Sequence, residues 1–272
     1  MHLVHETLLC EWTNASLPRG RHGPNVRFQM CIYPKARLTD RYISWQIKEK
    51  GFWEQHMVQD MLSVLSSQRQ HRPLLVDIGA NIGFYTLAAA AAGFDVYAFE
   101  PVPRNAEMLR VSLGRNRLAH RVTLHTFALG QGPTTLSMGV SSDNQGEVSH
   151  LKNLTNHPYG NGDVRLASLP LNSVLPRVTT RPIYLKVDIE GGECEALAGA
   201  SNLFSASRIV GANIEMQLVT RRCCVRQGWQ APGGLFYHMR NTHSLCSFSH
   251  GAPVANPCNV STNVWDVQWH AC

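Results

Sequence analysis

The chain has 272 residues, 44% of them hydrophobic and 16% charged, and a formal charge of +6. That size can bury one good core, so a single α/β domain with extensions is expected. No apolar run approaches membrane-spanning length, and the arginines are scattered rather than gathered into a stripe, which argues against a membrane span and against a nucleic-acid partner.

Residues 1–33 show no periodicity and are expected to be a loose arm. Met1 to Gly20 lacks a continuous hydrophobic segment, so neither a signal peptide nor an anchor is visible there. Residues 34–72 read as a helical extension, with two helical patterns around Gly51 between Arg41 and Gln68. Phe52, Trp53, Met57, Met61, Leu62 and Leu65 fall near one face of the second pattern, a stripe suited to covering a sheet or a cleft.

Leu74 to Ile78 is a short apolar run suited to a strand buried on both faces, and Tyr85 to Ala92 is an alanine-rich helix stopped by Gly93. Gly79 and Gly83 allow the sharp turn between them and leave the N–H groups at the helix start open to a ligand. The second strand, Asp95 to Phe99, delivers Glu100 at about the spacing from Asp77 at which a carboxylate accepts hydrogen bonds from ribose hydroxyls. A dinucleotide fingerprint requires two further glycines where this chain has Asn81 and Phe84. The loop therefore favours a cofactor without a pyrophosphate, such as S-adenosylmethionine, over NAD.

Met108 to Leu118 reads as a helix and Arg121 to Ala128 as the third strand. The tightest basic group, Arg115, Arg117, His120 and Arg121, is expected to be a solvated face at the junction. Residues 131–180 are rich in Gly, Ser, Asn and Pro and form an insertion over the carboxyl edge of the sheet, either a substrate lid or a plain surface excursion. Asn144-Gln145-Gly146 is a turn there, and His150 and His157 are nearby candidates for a base, although loop histidines are more often simply solvated. Asn156-His157-Pro158-Tyr159 lies too early to be an amino-methyltransferase signature, which should end the fourth strand.

Ile183 to Glu193 begins as that fourth strand and then places Lys186, Asp188 and Glu190 at period two near its end. Three ionisable groups in a central strand cost several kcal/mol unless they pair or face a polar cleft, and the cleft of an open α/β sheet lies at the carboxyl ends of its strands. A structural Lys186 to Glu190 ion pair is compatible with a functional Asp188.

The run VDIGANIGFYTLAAAAAG, the strand end YAFEP followed by Asn105, FALG at Phe127 to Gly130, and LKVDIEGGE at Leu185 to Glu193 together resemble the FkbM-type methyltransferase family. The likeness covers about residues 73 to 216, with a looser echo from Cys31 to Leu65. It implies a Rossmann-like class I methyltransferase fold over residues 73–272: a seven-stranded, mostly parallel sheet with helices on both faces. It also implies S-adenosylmethionine as cofactor and a hydroxyl of a sugar, glycan or secondary metabolite as acceptor. Asp77, Gly79, Asn81, Gly83, Glu100, Phe127 and Ala128 are then the cofactor-binding candidates, and Asp188, Glu190 and Lys186 the catalytic ones. The chain departs from the family pattern at Gly130, where a polar residue is usual, and at Leu171-Asn172, where Leu-Asp is usual.

Arg208 to Met216 is the fifth strand, ending near Glu215, a second candidate base. Gly233 to Thr242 reads as a helix, and Ser244 to Phe248 with Asn263 to Trp269 as a closing antiparallel pair. No metal is expected: Cys246, His250 and Cys258 form a weak pattern without two tight ligand pairs. Five of the eight cysteines lie in the last fifty residues and would staple the tail in an oxidising compartment; free cytosolic thiols are the alternative. Sequons at Asn14, Asn153 and Asn259 agree with a lumenal protein, and the cytoplasm is the default for the chain as it stands. The competing functions are a nicotinamide-dependent oxidoreductase, opposed by Asn81 and Phe84, and a non-catalytic relative acting as a scaffold, opposed by the intact site residues.

Overall fold

The computed structural model describes residues 10–20, 23–34, 40, 42–140, 148–153, 164–175 and 180–216, with parts of 224–272. In chain order the strands and helices are β1 (Glu11–Leu17), β2 (Val26–Ile32), α1 (Ile43–Lys50), α2 (Gln55–Ser67), β3 (Leu74–Ile78), α3 (Phe84–Ala91), β4 (Asp95–Phe99), α4 (Pro103–Arg115), β5 (Val122–His125) and β6 (Ala128–Leu129). There follow β7 (Thr134–Val140), β8 (Val148–Asn153), β9 (Val164–Leu169), α5 (Leu171–Val174), β10 (Pro182–Val187), α6 (Glu193–Ala198), α7 (Ser201–Ala206), β11 (Arg208–Glu215), β12 (Leu245–Ser249), β13 (Ala252–Pro253) and β14 (Asp266–Ala271).

The main sheet runs β13-β12-β14-β11-β10-β3-β4-β5. Its five strands from β11 to β5 pair in parallel, and β14 enters antiparallel between β11 and β12. The seven expected strands are thus joined by an eighth, the two-residue edge β13. The third strand stops at His125, three residues before its expected end, because the chain leaves the sheet to pair β6 with β9. The preceding helix begins at Pro103, five residues before its expected start, with proline in the first turn, where a missing N–H costs nothing.

Alternation along β3 and β10 separates two apolar cores. Leu75 and Tyr184 face the layer built by the N-terminal segments, α3 and α4, whereas Leu74, Val76, Ile78, Ile183, Leu185 and Val187 face α6, α7 and the C-terminal strands. Asp77 and Lys186 have the parity of Leu75 and Tyr184 and are register partners. They therefore project together towards the α2 and α3 side.

Residues 11–32 are not a loose arm. They form an antiparallel hairpin whose inner residues are core: Ala15 and Leu17 on β1 and Val26, Phe28, Met30 and Ile32 on β2 are all buried. The period-two alternation of Val26, Phe28, Met30 and Ile32 is the signal that locates β2 in the sequence. Phe28 packs edge-on against Phe84 of α3, and the backbone N–H of Cys31 donates to Ser112 Oγ of α4 at 2.9 Å. A Cys10–Cys31 disulfide closes the hairpin. Cys194, Cys224 and Cys272 are also disulfide-bonded, so among the described residues no cysteine is free.

Among the described residues between 34 and 72 lie two α-helices. Gly51 ends α1 at φ 80°, and α2 buries Val58, Met61, Leu62 and Leu65. The insertion forms a four-stranded sheet, β6-β9-β7-β8. Asn144-Gln145-Gly146 and His157 lie outside the described residues, as does the side chain of His150. The helix expected over 233–242 also falls largely outside them, although Phe236, Met239 and Asn241 are helical and Phe236 stacks on Trp269 at 5.0 Å. Among the described residues no helix is long and apolar enough to cross a membrane.

Both departures from the family pattern have packing reasons. A Cβ on Gly130 would sit 2.4 Å from Ser168 Oγ, which would have to rotate away to admit a side chain. Asn172 accepts the N–H of Asn202 at 3.0 Å and donates to Ser201 Oγ at 3.0 Å, tying the first turn of α7. Gly199 meets Gly130 back to back: its Cβ would lie 2.0 Å from the Gly130 carbonyl oxygen. Gly199→Ala is therefore expected to destabilise the protein by about 1–3 kcal/mol. Gly114→Ala, in a helix and with nothing within 4 Å of the added Cβ, should stabilise it by roughly 0.5–1 kcal/mol. Urea unfolding of the two variants measures both.

Candidate functional site

The glycine loop leaves β3 at Ile78 and is pinned to the end of β4, where the N–H groups of Gly79 and Ala80 both donate to the Phe99 carbonyl at 3.0 Å. Gly79, Asn81 and Gly83 adopt φ of 83°, 52° and 97°. At the two glycines the need is packing against protein. A Cβ on Gly79 would lie 1.8 Å from the Asp188 carbonyl oxygen, and one on Gly83 2.2 Å from Leu109 Cδ1. Asn81 tolerates the left-handed conformation because its Oδ1 accepts the N–H of Ile82 at 2.7 Å.

Glu100 follows β4 and is 4% exposed. Its Oε2 accepts the Asn81 N–H and its Oε1 the Val102 N–H, both at 2.8 Å, and the Asn105 side chain donates to it as well. Asn105 in turn accepts the hydroxyl of Tyr33, just beyond β2, at 2.7 Å. Burial pushes the Glu100 carboxyl up to about 7, against the downward pull of the Val102 and Asn81 hydrogen bonds. A carboxylate offers about four acceptor positions; the three bonds from Asn81, Val102 and Asn105 leave about one for a ribose hydroxyl.

Beside Glu100 stands an aromatic wall. The His125 ring stacks on Phe99 at 4.8 Å, and Phe127 meets His125 at 5.3 Å and the edge of Phe99 at 6.0 Å. Ala128 is buried next to Phe127 as the start of β6. His125 extends the wall; its Nε2 has no hydrogen-bond partner, and burial pushes its pKa down, favouring the uncharged ring.

Lys186 is the centre of the second constellation. Its ammonium donates to the Gly79 carbonyl at 2.8 Å, lies 3.3 Å from Asp188 Oδ2 and 3.9 Å from Asp77 Oδ1, and sits 5.4 Å from the Tyr85 ring centroid. Burial pulls its pKa down, but Asp188, Asp77 and Glu54 outweigh that and raise it, so the ammonium keeps its charge. Asp77 is fully buried and accepts the Thr86 hydroxyl at 2.6 Å; burial raises its pKa despite Lys186 and Thr86. Asp188, nearer and one-third exposed, is the main counter-ion.

The alternation that predicts three residues on one face applies to Lys186 and Asp188 and then stops. Glu190 and Gly191 turn left-handed at φ 55° and 98°. Glu193 holds this turn by accepting the N–H groups of Ile189 and Gly191 at 3.0 and 3.1 Å. Glu215 ends β11, one residue beyond the paired Val187 and Ile214. Glu54 is the residue that sequence reasoning misses. It precedes α2 at φ 43°, accepts the Tyr85 hydroxyl at 2.7 Å, and has its carboxyl raised first by burial and then by Asp188. A charged residue interrupting the apolar stripe between Trp53 and Met57 is its only signature. Among the described residues no group of three or more side chains suited to a metal converges.

The raised carboxyl of Glu100 makes stability depend on pH. Its folded value of about 7 exceeds its ordinary value of 4.5, so the protonated form favours the fold. That contribution is complete below about 4.5 and is lost as pH rises through about 7, an effect on the order of 3 kcal/mol. Glu100→Gln should flatten the dependence of unfolding free energy on pH over this window, as measured by urea unfolding at successive pH values.

The Methyltransferase FkbM domain family matches residues 77–248, more than half of the chain. No match is found among curated proteins. Methyltransferase FkbM from Methylobacillus flagellatus KT is 17% identical, with 74% of this chain and 44% of that one covered and a TM-score of 0.44, so this chain spans less than half of that protein's length. The N-terminal domain of human METTL16, in complex with SAH, is 15% identical over 79% of this chain and 67% of its own, with a TM-score of 0.38. Precorrin-6y C5,15-methyltransferase from Geobacter metallireducens GS-15 is 11% identical over 82% and 92%, with a TM-score of 0.41. The family match extends from Asp77, at the head of the glycine loop, past Lys186, Asp188 and Glu193 to the closing strands, and the chain belongs to the FkbM methyltransferase family.

Proposed function

We propose that this methyltransferase transfers the methyl group of S-adenosylmethionine to a hydroxyl of a small-molecule or glycan acceptor. The observation that carries this reading is the Lys186–Asp188 pair, 3.3 Å apart at the end of β10, with the ammonium also bonded to the glycine loop through Gly79. A base and the donor cradle are thereby held in one rigid unit.

The residues present fit the donor. Glu100 suits ribose hydroxyls, the wall of Phe127, Ala128 and His125 suits an adenine ring, and the loop from Gly79 to Gly83 suits a short amino-acid end rather than a pyrophosphate. Asp77 acts from beneath, through Lys186 and Thr86. When bound, the donor supplies a sulfonium methyl group open to in-line displacement by the acceptor oxygen. Alignment and exclusion of water supply much of the rate. A neutral alcohol needs help to lose its proton, and Asp188, 3.3 Å from the Lys186 ammonium and with a third of its side chain exposed, serves as the base. The disulfide-bonded cysteines suit work in an oxidising compartment.

The test is a labelled-methyl transfer screen over saccharides, lipids and hydroxylated metabolites, followed by Asp188→Asn on the best acceptor. Turnover should fall about 100-fold or more, while donor affinity stays within about twofold. Weakened donor binding with an unchanged single-turnover rate would sink the role given to Asp188, and transfer to amines alone would sink the hydroxyl acceptor.

A further inference from the structure

Glu54 belongs to the N-terminal extension, outside the residues 77–248 that define the family match. Its carboxylate accepts the Tyr85 hydroxyl at 2.7 Å, the Tyr85 ring lies 5.4 Å from the Lys186 ammonium, and that ammonium lies 3.3 Å from Asp188. A continuous chain of contacts therefore runs from the start of α2 to the open end of β10. Around one ammonium stand three carboxylates, Glu54, Asp77 and Asp188, each of which acts on it electrostatically. One positive charge cannot neutralise three negative ones, and like charges in a shared low-dielectric site do not all ionise together. Asp77 is fixed beneath by Thr86 and sealed from solvent, whereas Asp188 is 34% exposed on its side chain. The left-handed backbone of Glu54, at φ 43°, is a conformation a non-glycine residue holds only where its surroundings impose it.

We propose that Glu54 and Asp188 act as a coupled carboxylate pair over Lys186, in which Asp188 takes the acceptor's proton and the charge of Glu54 sets how readily it does so. This rests on the methyl-transfer reading above. As the acceptor oxygen bonds to the methyl carbon, the methyl–sulfur bond breaks with its electron pair going to sulfur. The hydroxyl proton passes to Asp188 and leaves through its exposed side to water. The other groups facing the pair are Lys186 from β10, Asp77 from β3 and Tyr85 from α3, with Trp53 giving Glu54 a second hydrogen bond. Glu54 is thus a positioning residue.

Carbon-13 carboxyl titration of the protein, labelled at Asp and Glu, tests the coupling without needing an acceptor. Glu54→Gln should move the Asp188 midpoint to lower pH by at least about half a unit, and Asp188→Asn should lower the Glu54 midpoint by a similar amount, because coupling is reciprocal. Glu54→Asp, which keeps the charge, should restore the Asp188 midpoint. If Glu54→Gln does not fold, Tyr85→Phe carries the same test. Loss of the hydroxyl raises the Glu54 midpoint, and Asp188, facing less negative charge, titrates lower. Unmoved midpoints in folded variants overturn the pairing. On an active acceptor, Glu54→Gln should move the acid limb of kcat/KM in the same direction as the Asp188 midpoint, with the donor Kd unchanged. A limb that stays in place overturns the catalytic role. Failure of the wild-type protein to methylate any hydroxyl overturns the function proposed above and leaves the midpoint comparison standing.

Discussion

Lys186 carries a full positive charge into the centre of a parallel sheet with 5% of its surface exposed. An isolated ammonium there costs many kcal/mol, and its position is tenable because oxygens surround it, two at hydrogen-bond distance and one at 3.9 Å. Those oxygens belong to three different segments: Asp77 on β3, the Gly79 carbonyl of the glycine loop, and Asp188 beyond β10. The charge therefore fixes the glycine loop to the end of β10. Gly79 is the steric counterpart of this lock. Only a residue without a Cβ lets the Asp188 carbonyl approach the loop so closely.

Around this lock the outer layer completes the site from the side the family segment leaves open. The hairpin delivers Tyr33 to Asn105, and Asn105 supports Glu100. The start of α2 delivers Glu54 to Tyr85, and Tyr85 borders Lys186. Both relays begin before residue 77, so the N-terminal segments are part of the site as well as a cover for the core. The Cys10–Cys31 disulfide and the Ser112 bond to Cys31 hold the hairpin that carries Tyr33.

Much of this was legible in the residues. The apolar runs at Leu74 to Ile78 and Ile183 to Val187 and the alanine-rich helix give strong local signals, because strands buried on both faces and packed helices leave little choice of residue. Lys186 and Asp188 stood out because charge in such a strand demands an explanation, and the structure supplies one. Glu190 was grouped with them by a period of two, which a left-handed turn interrupts. The hairpin lies far in sequence from the helices it covers, and the alternation that marks β2 spans only seven residues. Glu54, Asn105 and Tyr33 became visible as a set only in space, since nothing in their spacing links an extension to a cleft residue. The sequence points to Gly79 and Gly83 for ligand approach, whereas the contact each one permits is with protein.

The central claim is that the loop from Gly79 to Gly83, with Glu100, is built for S-adenosylmethionine and not for a dinucleotide. Calorimetric titration of the whole chain with S-adenosylmethionine and, in parallel, with NAD tests it most directly. The account predicts saturable one-site binding of the first and no binding of the second; saturable binding of NAD with none of S-adenosylmethionine would contradict it.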